Sequence, residues 1–164
     1  MLFCRNVEKN LYFALIYSSL LYCVEIYGTA KYKYINPLII KCNSVLRILQ
    51  DKPRTYRVSC LYNNYNTLPV NLLHKLCILK LMHRFIYNRC SVPTVFSNLF
   101  VCNNEVHTYN TRSKFDFSLN YVRCHNSLAF IAPVMWRKLP LHVRNCSSSS
   151  QFLNMCKLEL FKEL

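Results

Sequence analysis

Residues 69–87 have the sequence PVNLLHKLCILKLMHRFIY, which gives the clearest indication of the fold class. Apolar side chains recur in it every three or four residues, the spacing of one face of an α-helix. The stretch therefore predicts one long helix from about Pro69 to Tyr87. Its predicted buried stripe consists of Leu72, Leu76, Leu79, His83 and Ile86, widened by Leu73, Cys77 and Met82.

Two further helices are predicted on its N-terminal side. From Asn6 to Tyr27 the chain is apolar on most sides, and Gly28 occupies the position that commonly ends such a helix. The next helix is predicted to have Asn36 as its N-cap and Pro37 as its first residue, since both types are favoured there. Its predicted buried face consists of Leu38, Cys42, Val45, Leu46 and Leu49.

The pattern changes in the C-terminal part of the chain. Around residues 106–124 apolar and polar residues alternate, which is typical of a strand or an extended arm. Two helical segments, 127–131 and 133–138, are then predicted with a break at Pro133, because proline interrupts helices. After four consecutive serines at 147–150, a last helix is predicted with Ser149 or Ser150 as its cap. Its buried face is predicted to contain Phe152, Cys156 and Leu160.

Chain length limits the number of domains. With 164 residues, of which 52% are apolar, the chain can form one domain with a hydrophobic core. It is too short for a polymerase with fingers, palm and thumb. We expect a mainly α protein with a helical region over residues 1–104. Residues 105–164 would add the arm, the tryptophan segment and the last helix, packed with the first region as one compact domain.

The charge balance indicates the class of partner. The chain has 21 Lys and Arg residues against 7 Asp and Glu residues, which gives a formal net charge of +14. Such an excess favours a polyanion, either nucleic acid or an acidic membrane surface. Because the cations are spread along the chain, nucleic acid is the favoured interpretation. Between Arg47 and Arg57 four cations are opposed only by Asp51, which fits either a solvated basic loop or a surface that contacts phosphates.

A membrane-associated protein is the main alternative. The apolar part of the first predicted helix, from Leu11 to Val24, is shorter than the roughly 20 residues that span a bilayer. We therefore expect no stable membrane insertion, but residues 11–27 could lie on an anionic membrane surface as an interfacial helix. The sequence shows no secretory signal, so we expect an intracellular protein, nuclear or cytoplasmic.

Nothing in the sequence predicts an active site, a metal site or a cofactor. The acidic residues form no cluster of the kind that holds Mg²⁺ in nucleotidyl transfer, and the single glycine, Gly28, excludes Gly-rich phosphate loops. No two of the ten cysteines have the short spacing of zinc ligands, so free thiols buried as small hydrophobes are expected. A thiol-rich module that binds metal remains a third hypothesis.

We expect His83 to be a histidine of the core or of its boundary. For Tyr56, beside Arg54 and Arg57, we expect the ring to pack against the protein in preference to stacking on bases.

Two motifs in the C-terminal part carry a family resemblance. His107, Tyr109, Thr111 and Arg112 match the pattern H-x-Y-x-T-R, and the second pattern, P-x-x-W-x-x-L-P, is matched by Pro133, Trp136, Leu139 and Pro140. In this order they resemble the C-terminal tail of the reverse transcriptase of non-LTR retrotransposons, the jockey-like LINE elements. Further landmarks of that family are similar to residues 19–28, 38–49, 67–70 and 152–157, so the resemblance extends from about Ala14 onward. Arg137 is a departure, because the family usually has Asn there.

The resemblance implies a thumb-like helical bundle and post-thumb region of an RNA-directed DNA polymerase. The sequence contains no counterpart of the family's catalytic palm or its endonuclease, so no catalysis is expected from this chain. The implied partners are RNA or an RNA/DNA duplex, contacted through the backbone without sequence specificity, and the palm region of such a polymerase. The implied phosphate contacts are Lys41, Arg47, Lys52, Arg54 and Arg57. Arg112 and Lys114 would anchor the H-x-Y-x-T-R motif to RNA or to the extended arm, while Trp136 would be structural.

Overall fold

The computed structural model describes residues 2–94, 100, 117 and 127–164, and these residues are mainly helical, which confirms the mainly α fold class. The chain forms two compact units. One extends to His74 and also includes Leu164, and the other covers Lys75–Glu163. The arm predicted around residues 106–124 lies outside the described residues except for Phe117, which is buried, and so does the expected division between residues 104 and 105.

The N-terminal helix is shorter and less regular than predicted. Helix α1, Leu2–Leu11, continues into a π-helical segment, Tyr12–Tyr17, and then into α2, Ser18–Leu21. Tyr22 is extended and Cys23 has a left-handed backbone with φ 55°, so the helix stops before α3, Val24–Tyr27. The prediction of one continuous helix from Asn6 to Tyr27 is therefore wrong. The break is compensated in part because the Tyr27 hydroxyl donates a hydrogen bond to the carbonyl of Leu20.

Gly28 ends α3 as predicted, but its backbone conformation does not require a glycine. Its φ is −65°, which any residue can adopt. A Cβ at this position would lie 2.3 Å from the ring atom Cδ2 of His74 and 2.6 Å from the carbonyl oxygen of Val24. Gly28 is therefore needed because the buried His74 ring packs directly against its backbone.

Helix α4, Tyr32–Leu49, begins five residues earlier than predicted, at Tyr32 instead of Pro37. Asn36 and Pro37 lie inside the helix, so their assignment as N-cap and first residue is wrong. Pro37 has no N–H to donate within the helix, but Ile35, in the first turn, packs against a core cluster, which favours the longer helix. The predicted buried face of α4 is confirmed at Cys42 and Leu46, which are buried, with Leu38 and Leu49 packed partly against the core.

Two core clusters hold the first unit together, and α4 contributes to both. Its Leu46 packs with residues of the π-helical segment and of α5, Val58–Tyr65. Its Cys42 packs with Leu20 and with the start of α6, Val70–Tyr87. The first cluster contains Tyr12, Leu46, Leu61, Tyr62 and Tyr65, and the second contains Leu20, Cys42, Val70 and Leu73.

The second unit contains the remainder of α6, a short 3-10 turn at Arg89–Ser91, and three C-terminal helices. These are α7, Leu128–Lys138, α8, Leu141–Arg144, and α9, Ser149–Phe161. The break predicted at Pro133 is wrong, because α7 runs through it. Pro133 forfeits one helical hydrogen bond, but its ring is buried, and this burial offsets the loss. The cap of α9 is Ser148, so the assignment to Ser149 or Ser150 is wrong by one or two positions.

The core of the second unit is built mainly from α6, α7 and α9. The predicted length of α6 is confirmed, but its buried stripe is only partly right, since Ile86 is 38% exposed whereas Ile78 and Phe85 are buried. Phe152 of α9 lies between the rings of His83 and Trp136, with ring centroids 4.2 and 5.5 Å away. The predicted buried face of α9 is confirmed at Phe152, Cys156 and Leu160.

We predict that Gly28→Ala destabilises the protein by about 1–3 kcal/mol, the usual cost of overpacking a filled site. The measurement is the urea midpoint followed by circular dichroism. In a His74→Ala background the same substitution should cost less, although not nothing, because the contact with the carbonyl of Val24 remains. Equal costs in both backgrounds would show that the His74 ring does not set the requirement for glycine.

A second prediction concerns alkaline pH. Burial raises the pKa of the Cys156 thiol from its ordinary value near 9 to about 12. Between these values the unfolded chain loses a proton that the folded chain keeps, so the stability contributed by this group is present below pH 9 and declines as the pH rises toward 12. Urea midpoints measured across that range should fall less steeply for Cys156→Ala than for the parent chain. Parallel slopes would contradict this.

Candidate nucleic-acid interface

Helix α4 has one buried face, and its opposite face is exposed. Its 18 residues give it a length of about 27 Å. Tyr34, Lys41 and Ile48 follow one another seven residues apart, so they lie almost on one line along the exposed face, and Lys33 lies beside Tyr34 at one end. Because Cys42 and Leu46 fix the rotation of the helix, this line of residues must face solvent.

The loop after α4 starts with a defined helix-ending turn. The backbone N–H of Lys52 donates to the carbonyl of Arg47 over 2.8 Å, and that of Asp51 donates to the carbonyl of Ile48 over 3.1 Å. This pair of bonds, with Asp51 in the left-handed region at φ 49°, is the Schellman motif. The motif fixes the direction in which residues 52–57 leave the helix.

Side chains attach this loop to the first unit. The Arg47 guanidinium is partly buried and its Nη2 lies 3.5 Å from the carbonyl oxygen of Tyr56. Lys52 places its ammonium 5.3 Å from the centre of the Tyr56 ring. Gln50 donates from Nε2 to the carbonyl of Leu61 in α5, over 2.9 Å. The loop is thus held in place, and Arg47 is used in part to hold it.

The remaining cations of the loop and helix point into solvent. Lys41, Arg54 and Arg57 are exposed, and Lys52 is partly exposed. In residues 2–94 none of these four side chains forms an ion pair, and the carboxylate of Asp51 has no cationic partner either. We call Lys33, Lys41, Lys52, Arg54 and Arg57 together the basic α4 surface. The structure thus leaves four of the five sequence-predicted contacts of this region exposed or partly exposed, while Arg112 and Lys114 lie outside the described residues.

Sequence reasoning missed the N-terminal end of this surface. The run Lys31-Tyr32-Lys33-Tyr34 was assigned to the connection before α4, because the helix was expected to begin at Asn36. In the structure Lys31 is the N-cap and the next three residues form the first turn. All four are exposed. The alternation of lysine and tyrosine could have indicated an exposed segment, because it contains no aliphatic side chain that would pack into a core.

The tryptophan motif belongs to the core of the second unit. Trp136 is 6% exposed, Pro133 and Leu139 are buried, and Pro140 is the N-cap of α8. Arg137, at the position where the resembled reverse transcriptases usually have Asn, donates from Nη2 to the backbone carbonyl of Phe117 over 2.9 Å. These residues brace the fold and present no reactive group. His107, Tyr109 and Thr111 lie outside the described residues.

The second unit has an open cavity of about 560 Å³, lined by His83, Arg84, Tyr87, Asn88, Ser91, Ser147 and Ser149. His83 is buried there as expected, and its Nε2 donates to the carbonyl of Cys146 over 2.8 Å. The Tyr87 hydroxyl donates to the carbonyl of Arg144 over 2.7 Å. Both polar groups therefore connect α6 to the chain that follows α8 or to its last residue.

No disulfide joins the cysteines whose side chains the structure describes, but fewer of these thiols are buried than predicted. Cys42 and Cys156 are buried, whereas Cys23 and Cys90 are exposed. Within the described ranges, His, Cys, Asp and Glu side chains form no group of three that could hold a metal ion. The helices of those same ranges also lack the combination of length and apolar composition that crossing a bilayer requires.

The left-handed turn at Asp51 yields a prediction. A side chain other than Asn or Asp is strained in this backbone region, and glycine is not. Asp51→Ala should therefore be about 1 kcal/mol less stable than Asp51→Gly, and Asp51→Asn should lie between them. Thermal unfolding of the three variants, which all remove the carboxylate, checks this order. An alanine variant as stable as the glycine variant would mean that the turn is not formed in solution.

Comparison of the chain with models of protein families, with curated protein sequences and with solved structures found no match. The resemblance to non-LTR reverse transcriptases therefore rests on the residues of the motifs themselves. The position of the basic α4 surface rests on the fold, and it does not depend on that resemblance.

Proposed function

We propose that this chain binds RNA or an RNA/DNA duplex through the basic α4 surface, without sequence specificity and without catalysis. On this proposal it corresponds to the thumb-like, C-terminal part of a retrotransposon RNA-directed DNA polymerase. The observation that carries the binding proposal is the set of exposed cations on α4 and the following loop, which lack ion-pair partners among the described residues.

The chemistry of this surface suits phosphate groups. Exposed lysines and arginines without carboxylate partners can pair with phosphates without first breaking an ion pair, and the counterions that they displace from the nucleic acid drive binding. The loop is preformed, since its Schellman turn and the hydrogen bond from Gln50 hold it before any ligand arrives. A preformed loop loses little conformational entropy on binding.

Lack of sequence specificity follows from the kinds of side chain present. The surface offers ammonium and guanidinium groups on flexible stems, which contact phosphates in any sequence. Sequence recognition would need side chains held rigidly against base edges. Among the described residues, no hydrogen bond or ion pair holds Lys41, Arg54 or Arg57 in this way.

The test is the affinity for a labelled RNA/DNA hybrid measured by fluorescence anisotropy at several salt concentrations. The triple substitution Lys41→Ala, Arg54→Ala, Arg57→Ala should weaken binding at least roughly tenfold at low salt and reduce the slope of log Kd against log salt by about two to three. These three side chains are exposed, so their loss should leave the thermal midpoint nearly unchanged.

A control of equal charge is available in the second unit. The triple substitution Lys80→Ala, Arg84→Ala, Lys138→Ala removes the same three charges from exposed positions. If net charge alone attracts the nucleic acid, both triples lose the same affinity, and the assignment to the basic α4 surface is wrong. Affinity that does not change with salt would overturn the proposal as a whole.

A membrane surface is the second candidate partner, favoured by apolar side chains exposed along the first unit. Val7, Leu11 and Leu15 lie four residues apart and are each about half exposed or more. Such a stripe is the feature that an interfacial helix buries in lipid. Cosedimentation with phosphatidylserine vesicles, together with no binding to the hybrid in the same buffer, would favour the membrane over nucleic acid.

A further inference from the structure

The first turn of α4 exposes a tyrosine ring beside a cation. Tyr34 is 67% exposed, although a buried position is more usual for so large a ring. The Lys33 ammonium lies 4.8 Å from the centre of the Tyr34 ring. The ring therefore has a cation on one side and solvent over much of the rest of its surface.

Lys41 lies on the same side of the helix as Tyr34. Seven residues correspond to almost two full turns, so the two side chains leave α4 in nearly the same direction, about 10 Å apart along its axis. The Lys41 side chain is exposed and has no ion-pair partner among residues 2–94. An aromatic ring and a cation are thus arranged along one line on the basic α4 surface.

We infer that Tyr34, with Lys33 and Lys41, forms a stacking site for an unpaired base of a single-stranded nucleic acid. The occupant is specified by the two chemistries together. A flat aromatic ring stacks on bases that are not already stacked in a duplex, while the adjacent ammonium groups pair with the phosphates on either side. A duplex would use the cations and leave the ring without a partner. This inference rests on the proposed function and adds to it the kind of strand that is bound.

Two other exposed tyrosines help to define the site. Tyr32 is 71% exposed but lies two residues before Tyr34, about 200° away around the helix, and so is off the line that contains Lys41. Tyr22 is 78% exposed and has no Lys or Arg within five residues in the sequence. A general effect of losing a surface ring would appear at Tyr22 as much as at Tyr34.

The test compares two ligands, a labelled single-stranded oligouridine RNA and a fully paired RNA/DNA hybrid, by anisotropy in the same buffer. Tyr34→Ala should weaken binding of the single strand roughly tenfold, within the range measured for base stacking on aromatic side chains, and change the hybrid affinity less than about twofold. Tyr34→Phe should retain single-strand binding because the ring is kept. Tyr22→Ala should change neither affinity.

The outcomes separate this inference from the proposed function. If Tyr34→Ala binds the single strand as tightly as the parent chain, or if Tyr22→Ala loses as much, the stacking site is refuted while hybrid binding through the cations stands. If the parent chain binds neither ligand, the proposed function fails first. Equal losses for both ligands on Tyr34→Ala would also overturn the inference, because they would show that the ring does not distinguish unpaired bases.

Discussion

Burial of Cys42 and Leu46 on one face of α4 is the constraint on which the first unit depends. Leu46 packs against Tyr12, Leu61 and the neighbouring tyrosines, and Cys42 packs against Leu20, Val70 and Leu73. A single helix thereby joins both core clusters of the unit. Because its rotation is fixed by these contacts, the opposite face has to carry its lysines and Tyr34 into solvent. The candidate interface is a consequence of core packing.

Helix α4 also shows which features of the fold could be predicted from the sequence. The spacing of Cys42 and Leu46 predicted the buried side of α4 correctly, since apolar periodicity reports directly on burial. The start of the helix was predicted wrongly, because Asn36 and Pro37 have strong local preferences for a first turn and the packing of Ile35 against a core cluster outweighs them. Pro133 is a second case, in which burial of the ring offsets a lost hydrogen bond. Local rules locate the helices, and tertiary contacts decide where they begin and end.

The interruption at Tyr22 and Cys23 could not be anticipated for a related reason. Nothing in the apolar pattern of residues 6–27 marks a break, and Cys23 has no preference for a left-handed backbone. The break is accompanied by a contact between residues seven positions apart, the hydrogen bond that the Tyr27 hydroxyl donates to the Leu20 carbonyl. The candidate site was predicted in part. Its loop cations were named from the charge pattern and the family resemblance, whereas the Lys33 and Tyr34 end required the true start of α4.

The two units differ in what they offer chemically. The core of the second unit contains Trp136 and Phe152. The polar side chains of His83, Tyr87 and Arg137 in this unit donate hydrogen bonds to backbone carbonyls. The first unit combines a hydrophobic core with an exposed surface that carries lysines, arginines and tyrosines. In the proposed assignment the tryptophan motif therefore marks the origin of the chain and stabilises it, and the binding function resides in α4 and its loop.

The most direct test of this account is lysine footprinting. Acetylation of the intact protein with and without bound RNA, followed by mass spectrometry, reports which ammonium groups the ligand covers. The account predicts that Lys33, Lys41 and Lys52 become protected while Lys80 and Lys138 react as in the free protein. Protection of Lys80 and Lys138, with Lys33 and Lys41 unchanged, would contradict it.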